Sequence, residues 1–134
     1  MSASSDTFFT VVGCMDGRVQ NVVASYGEKK FSAKYPDTIT DAGIVKRISQ
    51  NPDPRYFGDL QKKLLVSVDK HHSKGIVVDG HQECAGNPVE DKMHKKDILN
   101  AVEFVKILIG ERVPVVGVFV TNEKSGWTVG ELEA

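Results

Sequence analysis

The stretch "TFFTVVGCMDGR" (residues 7–18) decides how this chain begins to fold and where its reactive side chains lie. Residues 7–13 are mainly β-branched and aromatic and end at a glycine, which predicts a buried first strand. Cys14, Asp16 and Arg18 then follow at every second position. If the backbone stays extended, these three side chains project to the same side. The stretch therefore predicts a strand whose carboxyl end carries a thiol, a carboxylate and a guanidinium.

Length and composition set the outer bounds. With 134 residues, 40% of them hydrophobic, the chain is predicted to form a single domain spanning residues 1–134. The net charge of -1, from 17 basic and 18 acidic residues, does not favour nucleic acid or an anionic membrane as a partner. No window approaches the roughly 20 apolar residues of a membrane span, and the first residues do not resemble a signal peptide. We therefore expect a soluble, cytoplasmic protein.

Short apolar runs alternate with longer amphipathic runs, which is typical of βαβ units. We predict an α/β fold: a central, mainly parallel four-stranded sheet in the order 2-1-3-4, flanked by helices. The predicted strands cover 7–13, 37–40, 75–79 and 113–121. The predicted helices run from Arg18 to Gly27, from near Asp59, and over 91–110. Residues 122–134 are expected to form a turn and a tail.

A second motif, "GHQECAG" (residues 80–86), follows the predicted third strand. Functional groups of an open parallel sheet gather outside the carboxyl ends of the strands. If strands 1 and 3 are neighbours, Cys14, His81 and Cys84 converge there. Such a Cys-His-Cys set suits zinc, with a fourth position open to water or a carboxylate, and an open position favours catalysis over a structural metal. Alternatively, the histidine is an ordinary hydrogen-bonded residue and the cysteines are small buried hydrophobes.

The remaining histidines and the acid-base pair complete the candidate residues. His71, His72 and His94 lie on predicted helices among charged neighbours, and we expect them to be solvated surface residues. Asp16 and Arg18 can pair beside the metal, where a two-pronged guanidinium contact would keep the carboxylate ionised and fixed in direction. The alternative is a surface ion pair in a loop.

Taken together, "CMDGR" (14–18) and "GHQECAG" (80–86) resemble the C-x-D-x-R and H-x-x-C motifs of the β-class carbonic anhydrases. "DAG" (41–43) resembles the Asn-Ala-Gly loop of that family, and "VVGVFVTNEKSG" (115–126) is similar to its last parallel strand and turn. The resemblance covers nearly the whole chain.

The resemblance implies a zinc ion held by Cys14, His81 and Cys84, and a catalytic Asp16–Arg18 dyad. It also implies a carbonate dehydratase-type lyase that hydrates carbon dioxide reversibly to bicarbonate by means of a metal-bound hydroxide. Finally, the resemblance implies a homodimer or a higher homo-oligomer whose sites lie near the subunit interface.

The sequence also differs from the usual family pattern. The helical arm and the pocket glutamine that ordinarily precede the first strand are not found before Thr7, so we expect a minimal, divergent member. Gly17, Asp41 and Ala85 stand where Ser, Asn and Gly are usual. Two alternatives stay open: a zinc hydrolase of carbonyl sulfide or carbon disulfide, and a non-enzymatic zinc-binding domain. An intact Asp16–Arg18 pair argues against the second, because a purely structural zinc does not need it.

Overall fold

The computed structural model describes residues 6–50 and 53–133. The fold is α/β, with one five-stranded sheet in the order β2-β1-β3-β4-β5. The strands are β1 (Phe8–Cys14), β2 (Tyr35–Asp41), β3 (Ile76–His81), β4 (Val115–Glu123) and β5 (Gly126–Leu132). The helices are α1 (Gly17–Phe31), α2 (Ile44–Gln50), α3 (Pro54–Leu65) and α4 (Asp91–Ile109), and a π-helical turn, Val66–Lys70, continues α3.

The central strands β1 and β3 are neighbours. Val11 of β1 is paired with Val77 of β3, and both strands run parallel to their other neighbours, β2 and β4. Almost all residues of these two strands are buried, and residues 10–12 and 76–78 are β-branched, as expected for a sheet that is covered on both faces. The predicted order 2-1-3-4 is confirmed for the first four strands. Because β1 and β3 are parallel and adjacent, their carboxyl ends, at Cys14 and His81, lie at the same edge of the sheet.

Helices cover the two faces of the sheet unequally. One face packs against α2, α3 and α4, where Ile48, Leu64 and Val105 are fully or almost fully buried. The other face packs against α1 through Val19 and Val23. In both layers the apolar side chains recur at helical spacing, so each helix turns one stripe toward the sheet and leaves most of its charged residues in solvent.

The prediction of four strands was one strand short, and the prediction that residues 122–134 form only a turn and a tail was wrong. Residues 126–132 form β5, which pairs antiparallel with β4, with Val129 opposite Val120 and Trp127 opposite Asn122. Gly126 has a φ of 116°, which the turn between the strands requires and which a glycine adopts readily. Along β5, Trp127 and Val129 face the core beside α1 and alternate with more polar residues, a pattern typical of a half-buried edge strand.

Two predicted helix boundaries were also wrong. Helix α1 does not stop at Gly27 but continues to Phe31. A Cβ atom at position 27 would lie 2.1 Å from the ring of Phe9, so this glycine lets the helix approach the sheet closely. Helix α3 begins at Pro54 rather than near Asp59, because Asp53 caps it and proline suits the first helical turn. Helix α2 was not predicted.

Within the described ranges, none of the helices combines the length and apolar character of a membrane span.

Candidate metal centre

Three side chains converge where β1 and β3 end. Cys14 is the last residue of β1, His81 is the last residue of β3, and Cys84 lies in the loop that follows. One potential ligand atom from each residue lies within 4.8 Å of the others, and the two sulfur atoms are 3.8 Å apart. All three side chains are buried. The parallel pairing of β1 and β3 therefore brings together residues that are far apart in the sequence.

A backbone hydrogen bond orients the ring of His81 in the way that a metal ligand requires. His81 Nδ1 donates a hydrogen bond to the carbonyl oxygen of Gln82 at 2.6 Å, which fixes the proton on Nδ1 and leaves the Nε2 lone pair free. Nε2 is buried and has no hydrogen-bond partner. Leaving a buried polar atom unpaired costs free energy, and a metal ion on Nε2 would remove that cost. The donor set and this unpartnered nitrogen together fit a zinc ion.

The two thiols share one hydrogen bond. Hydrogen bonding from Cys84 lowers the pKa of Cys14 well below its ordinary value, because the neighbouring thiol stabilises the Cys14 thiolate. The same contact, together with burial, raises the pKa of Cys84. Thiolates rather than thiols bind metals, so the lowered pKa of Cys14 suits it as one of the two candidate sulfur ligands.

A buried carboxyl group, that of Asp79, is hydrogen-bonded to the backbone of Cys14. Asp79 accepts a hydrogen bond from the backbone nitrogen of Cys14 at 3.2 Å, and burial raises the pKa of Asp79 to about 7. Gly13 makes room for this group, because a Cβ at position 13 would lie 1.9 Å from an Asp79 carboxyl oxygen. The sequence reasoning did not single out Asp79, although a lone aspartate inside an apolar strand run is a usable signal.

Asp16 and Arg18 form an ion pair beside the three candidate ligands. Asp16 accepts bonds from the Arg18 side chain, the shortest at 2.7 Å from Nη2, and from the Arg18 backbone nitrogen at 2.9 Å. The guanidinium lowers the pKa of Asp16 to about 2, so the carboxylate is ionised at neutral pH. Asp16 Oδ2 is 3.9 Å from His81 Nε2.

The backbone that produces this pair is not the extended one that the sequence reasoning assumed. Asp16 is the N-cap of α1, and Arg18 already lies in the first helical turn. The side chains meet because an N-cap carboxylate turns toward the backbone nitrogens that follow it, where the Arg18 side chain can reach it. The expected contact is present, although the geometric reason given for it was wrong.

Arg18 has further partners that the sequence reasoning missed. Its Nη1 donates to the Glu83 carboxylate at 3.2 Å and its Nη2 to the Glu83 backbone carbonyl, also at 3.2 Å. The guanidinium also lies 4.9 Å from the centre of the Trp127 ring. Glu83 is inside the H-x-x-C motif, and Trp127 is on the strand that was predicted to be a tail. The alternation in "GWTVGEL" (126–132) after a polar turn was the signal that could have revealed this strand.

A protein-family model described as "Putative carbonic anhydrase" matches residues 4–131. The chain belongs to this carbonic anhydrase family. No curated protein sequence matches the chain. The fold of this family member is nevertheless shared with solved structures, as the next comparisons show.

A chain from the structures of two tetrameric β-carbonic anhydrases of the ascomycete Sordaria macrospora matches at 13% identity with a TM-score of 0.66, covering 96% of this chain and 82% of that chain. The carbonic anhydrase of Streptococcus mutans matches at 18% identity and 0.63, covering 93% and 81%. A β-carbonic anhydrase from Trichomonas vaginalis matches at 19% identity and 0.55, covering 90% and 80%. These likenesses show a common fold.

In this family member, the "DAG" loop packs directly against the loop that follows Cys84. Gly43 has a φ of 58°, and a Cβ there would lie 2.5 Å from the backbone of Gly86. Asn87 holds the second loop by donating to the buried carboxylate of Asp97 at 3.0 Å. The glycines therefore allow the two loop backbones to touch beside the candidate ligand Cys84. The hydrogen bond from Asn87 to Asp97 anchors the loop that carries Cys84 to helix α4.

One histidine prediction was wrong. His94 was expected to be a solvated surface residue, but it is only 2% exposed and packs on the ring of Phe119 and against Gly80. Burial lowers the pKa of His94, and its Nε2 has no hydrogen-bond partner. A glycine at position 80 leaves the space that the ring fills, which the sequence pattern of α4 did not reveal. His71 and His72 are exposed, as predicted.

Proposed function

We propose that this protein catalyses the reversible hydration of carbon dioxide to bicarbonate with a zinc ion held by Cys14, His81 and Cys84. The observation that carries the proposal is the unpartnered His81 Nε2, which is buried in the cluster with the two thiols and lies 3.9 Å from the Asp16 carboxylate. Membership of the carbonic anhydrase family supports the same chemistry. A structural zinc site would not need the carboxylate.

Each residue has a distinct task in this proposal. Cys14, His81 and Cys84 hold the metal, and Gln82 keeps the imidazole in the tautomer that presents Nε2. Zinc bound there supplies Lewis acidity, which makes hydroxide available from water near neutral pH. Burial of the three ligands limits the access of bulk water to the donor atoms.

Asp16 orients the attacking group. At neutral pH its carboxylate can only accept hydrogen bonds. It would accept a hydrogen bond from the O–H group of the nucleophile and so turn the oxygen lone pair toward the carbon of the substrate. Arg18 occupies one edge of the carboxylate and so limits the directions that remain open. The dyad thus contributes orientation, and the proposal assigns it no covalent step.

The test is stopped-flow hydration of carbon dioxide by zinc-loaded protein, with Cys84→Ser as the variant lacking a ligand. The zinc-loaded parent should accelerate hydration, and the variant should lose most of that acceleration together with its zinc. Parallel assays of sulfide release from carbonyl sulfide and carbon disulfide decide between substrates. Sulfide release without carbon dioxide hydration would replace the proposed substrate, and inactivity on all three between about pH 7 and 9 would refute an enzymatic role.

We also propose that the protein acts as a homodimer or a higher homo-oligomer. The Sordaria macrospora proteins that share this fold are tetrameric. In the isolated chain, Met15, which is next to the candidate ligand Cys14, is 62% exposed. Large exposed apolar side chains near a site suit an interface. Light scattering at tens of micromolar should give at least twice the 14.7 kDa chain mass, whereas a single 14.7 kDa species would refute the proposal.

A further inference from the structure

Arg18 is held on three sides. Asp16 takes its Nε and Nη2 donors, Glu83 takes Nη1 through its carboxylate and Nη2 through its carbonyl, and Trp127 lies against the guanidinium plane at 4.9 Å. Asn122 in turn donates to the second Glu83 carboxyl oxygen at 3.0 Å. The contacts come from α1, the loop after β3, and the β4–β5 hairpin, so three separate elements fix one side chain.

Glu83 has an unusual backbone for its residue type. Its φ is 57°, a left-handed conformation that glycine or asparagine ordinarily occupies, and a glutamate there carries a conformational cost. Glycine would avoid that cost but would bring no carboxylate. A strained glutamate whose two carboxyl oxygens bind Arg18 and Asn122 indicates that its side chain is needed at this position.

Without further support, the pair of Asp16 and Arg18 would be loosely held. The Arg18 side chain is 47% exposed, and exposed ion pairs contribute little because solvent screens them and the long side chain keeps its freedom. An aromatic face and a second carboxylate both restrict the guanidinium to one orientation. The additional contacts therefore affect the direction of Arg18 more than its charge.

We infer that Glu83 and Trp127 are positioning residues, which hold Arg18 in its two-pronged contact with Asp16 and thereby keep that carboxylate from moving onto the metal donor atoms. The inference rests on the proposed function, because it assumes a metal on Cys14, His81 and Cys84. Asp16 Oδ2 is 3.9 Å from His81 Nε2, so a small movement of a released carboxylate would reach the same space. Neither residue touches the reacting groups in this assignment.

The first test uses cobalt in place of zinc, because the visible absorption of Co²⁺ bound to thiolates changes with its fourth ligand. Glu83→Gln and Trp127→Leu should each change the spectrum, and the change should disappear when Asp16→Asn is added. Glu83→Gly, which suits the left-handed backbone, should behave like Glu83→Gln if the carboxylate is what matters. Trp127→Phe keeps an aromatic face and should restore the parent spectrum.

Glu123→Gln is the matched control, since Glu123 lies on the same hairpin and its carboxylate bonds Thr121 rather than Arg18. It should leave the spectrum and the rate unchanged. In carbon dioxide hydration, Glu83→Gln and Trp127→Leu should each lower kcat by about two- to fivefold, the range for losing one exposed ion pair or one exposed cation–π contact. In an Arg18→Ala background neither should lower kcat further, because both act through Arg18.

Several results would overturn the inference: parent-like cobalt spectra in both variants, a spectral change that persists with Asp16→Asn, or rate losses of equal size in the Arg18→Ala background. A parent that binds no cobalt overturns it too, since the carboxylate would then have nothing to be kept from. An inactive parent whose spectra respond as expected refutes the proposed function and leaves the positioning role standing.

Discussion

The two ends of the β1–β3 pair carry polar clusters that differ in how fully they are hydrogen-bonded. At the amino end, the buried hydroxyl of Thr10 contacts the hydroxyls of Ser67 and Ser73 at 2.6 and 2.7 Å. Ser67 also donates to Asp37, and Ser73 to the carbonyl of Gly75. In the part of the chain that the structure describes, no buried side-chain nitrogen or oxygen of this cluster lacks a partner.

At the carboxyl end, some buried polar atoms have no hydrogen-bond partner. The three buried side-chain atoms without partners among residues 6–50 and 53–133 are His81 Nε2, Asn87 Oδ1 and His94 Nε2, and they belong to the segments that surround the candidate metal centre. The same end also has the strained backbone of Glu83. Since unpaired buried polar atoms cost stability, they persist where a ligand completes them or a function requires them. The presence or absence of hydrogen-bond partners therefore distinguishes the structural cluster at the amino end from the candidate binding site at the carboxyl end.

The largest difference between the two ends should appear in metal binding. We expect about one zinc per chain. His81→Ala or Cys14→Ser should weaken zinc binding by on the order of a hundredfold or more, because two remaining ligands form a much poorer chelate. His71→Ala, the matched change at the amino end, should keep the zinc. Metal content by mass spectrometry after dialysis decides this, and full zinc content in Cys14→Ser would rule out the three-ligand site.

The next effect concerns the rate at constant metal content. Asp16→Asn should keep the zinc and lower the turnover of carbon dioxide by about a hundredfold or more, because it removes an ionised orienting group. Asparagine is also a good N-cap, so α1 should keep its stability. Asp53→Asn, the same change at the N-cap of α3, is the control and should not alter the rate. A fully active Asp16→Asn variant would remove the dyad from the mechanism.

At the amino end the expected effect is on stability alone. Thr10→Val keeps the shape but withdraws a hydroxyl from two buried partners, and should lower the free energy of unfolding by about 1–3 kcal/mol. Zinc content should not change. Thr40→Val, at an exposed position of β2, is the control and should stay within about 0.5 kcal/mol. Urea unfolding measures both, and zinc loss in Thr10→Val would show that the two ends are not independent.

The smallest effect is the pH dependence at His94. Burial lowers the pKa of His94 below its ordinary value of 6.5, so the unfolded chain takes up a proton before the folded chain does. Its contribution to stability is therefore present above pH 6.5 and is lost as the pH falls, by at most about 1.4 kcal/mol per pH unit. His94→Leu should flatten this slope. Unfolding of metal-free protein between pH 5 and 7 tests it, and an unchanged slope would contradict the assignment.

The local sequence determined the central elements of the fold and the candidates for the site. Runs of β-branched residues at 10–12 and 76–78 identify β1 and β3, because a strand that is buried on both faces lacks the regular alternation of apolar and polar residues. The motifs at the ends of those strands indicated Cys14, His81 and Cys84 as candidate ligands. Right-handed crossovers leave few possible strand orders, and the predicted order makes the three residues neighbours. These inferences needed only short-range patterns and a general rule of topology.

Tertiary structure alone decided which neighbours complete the site. β5 was missed because an edge strand exposes half of its side chains, so the alternation along residues 126–132 is a weaker signal than a continuous buried run. The pairing of β5 with β4 is seen only in the structure. His94 is buried because Gly80 leaves space on a distant strand, and Trp127 and Glu83 meet Arg18 across three elements. Such contacts join residues 14 to 109 positions apart in the chain. Local patterns describe how one segment meets solvent, and only the folded arrangement fixes which segment covers another.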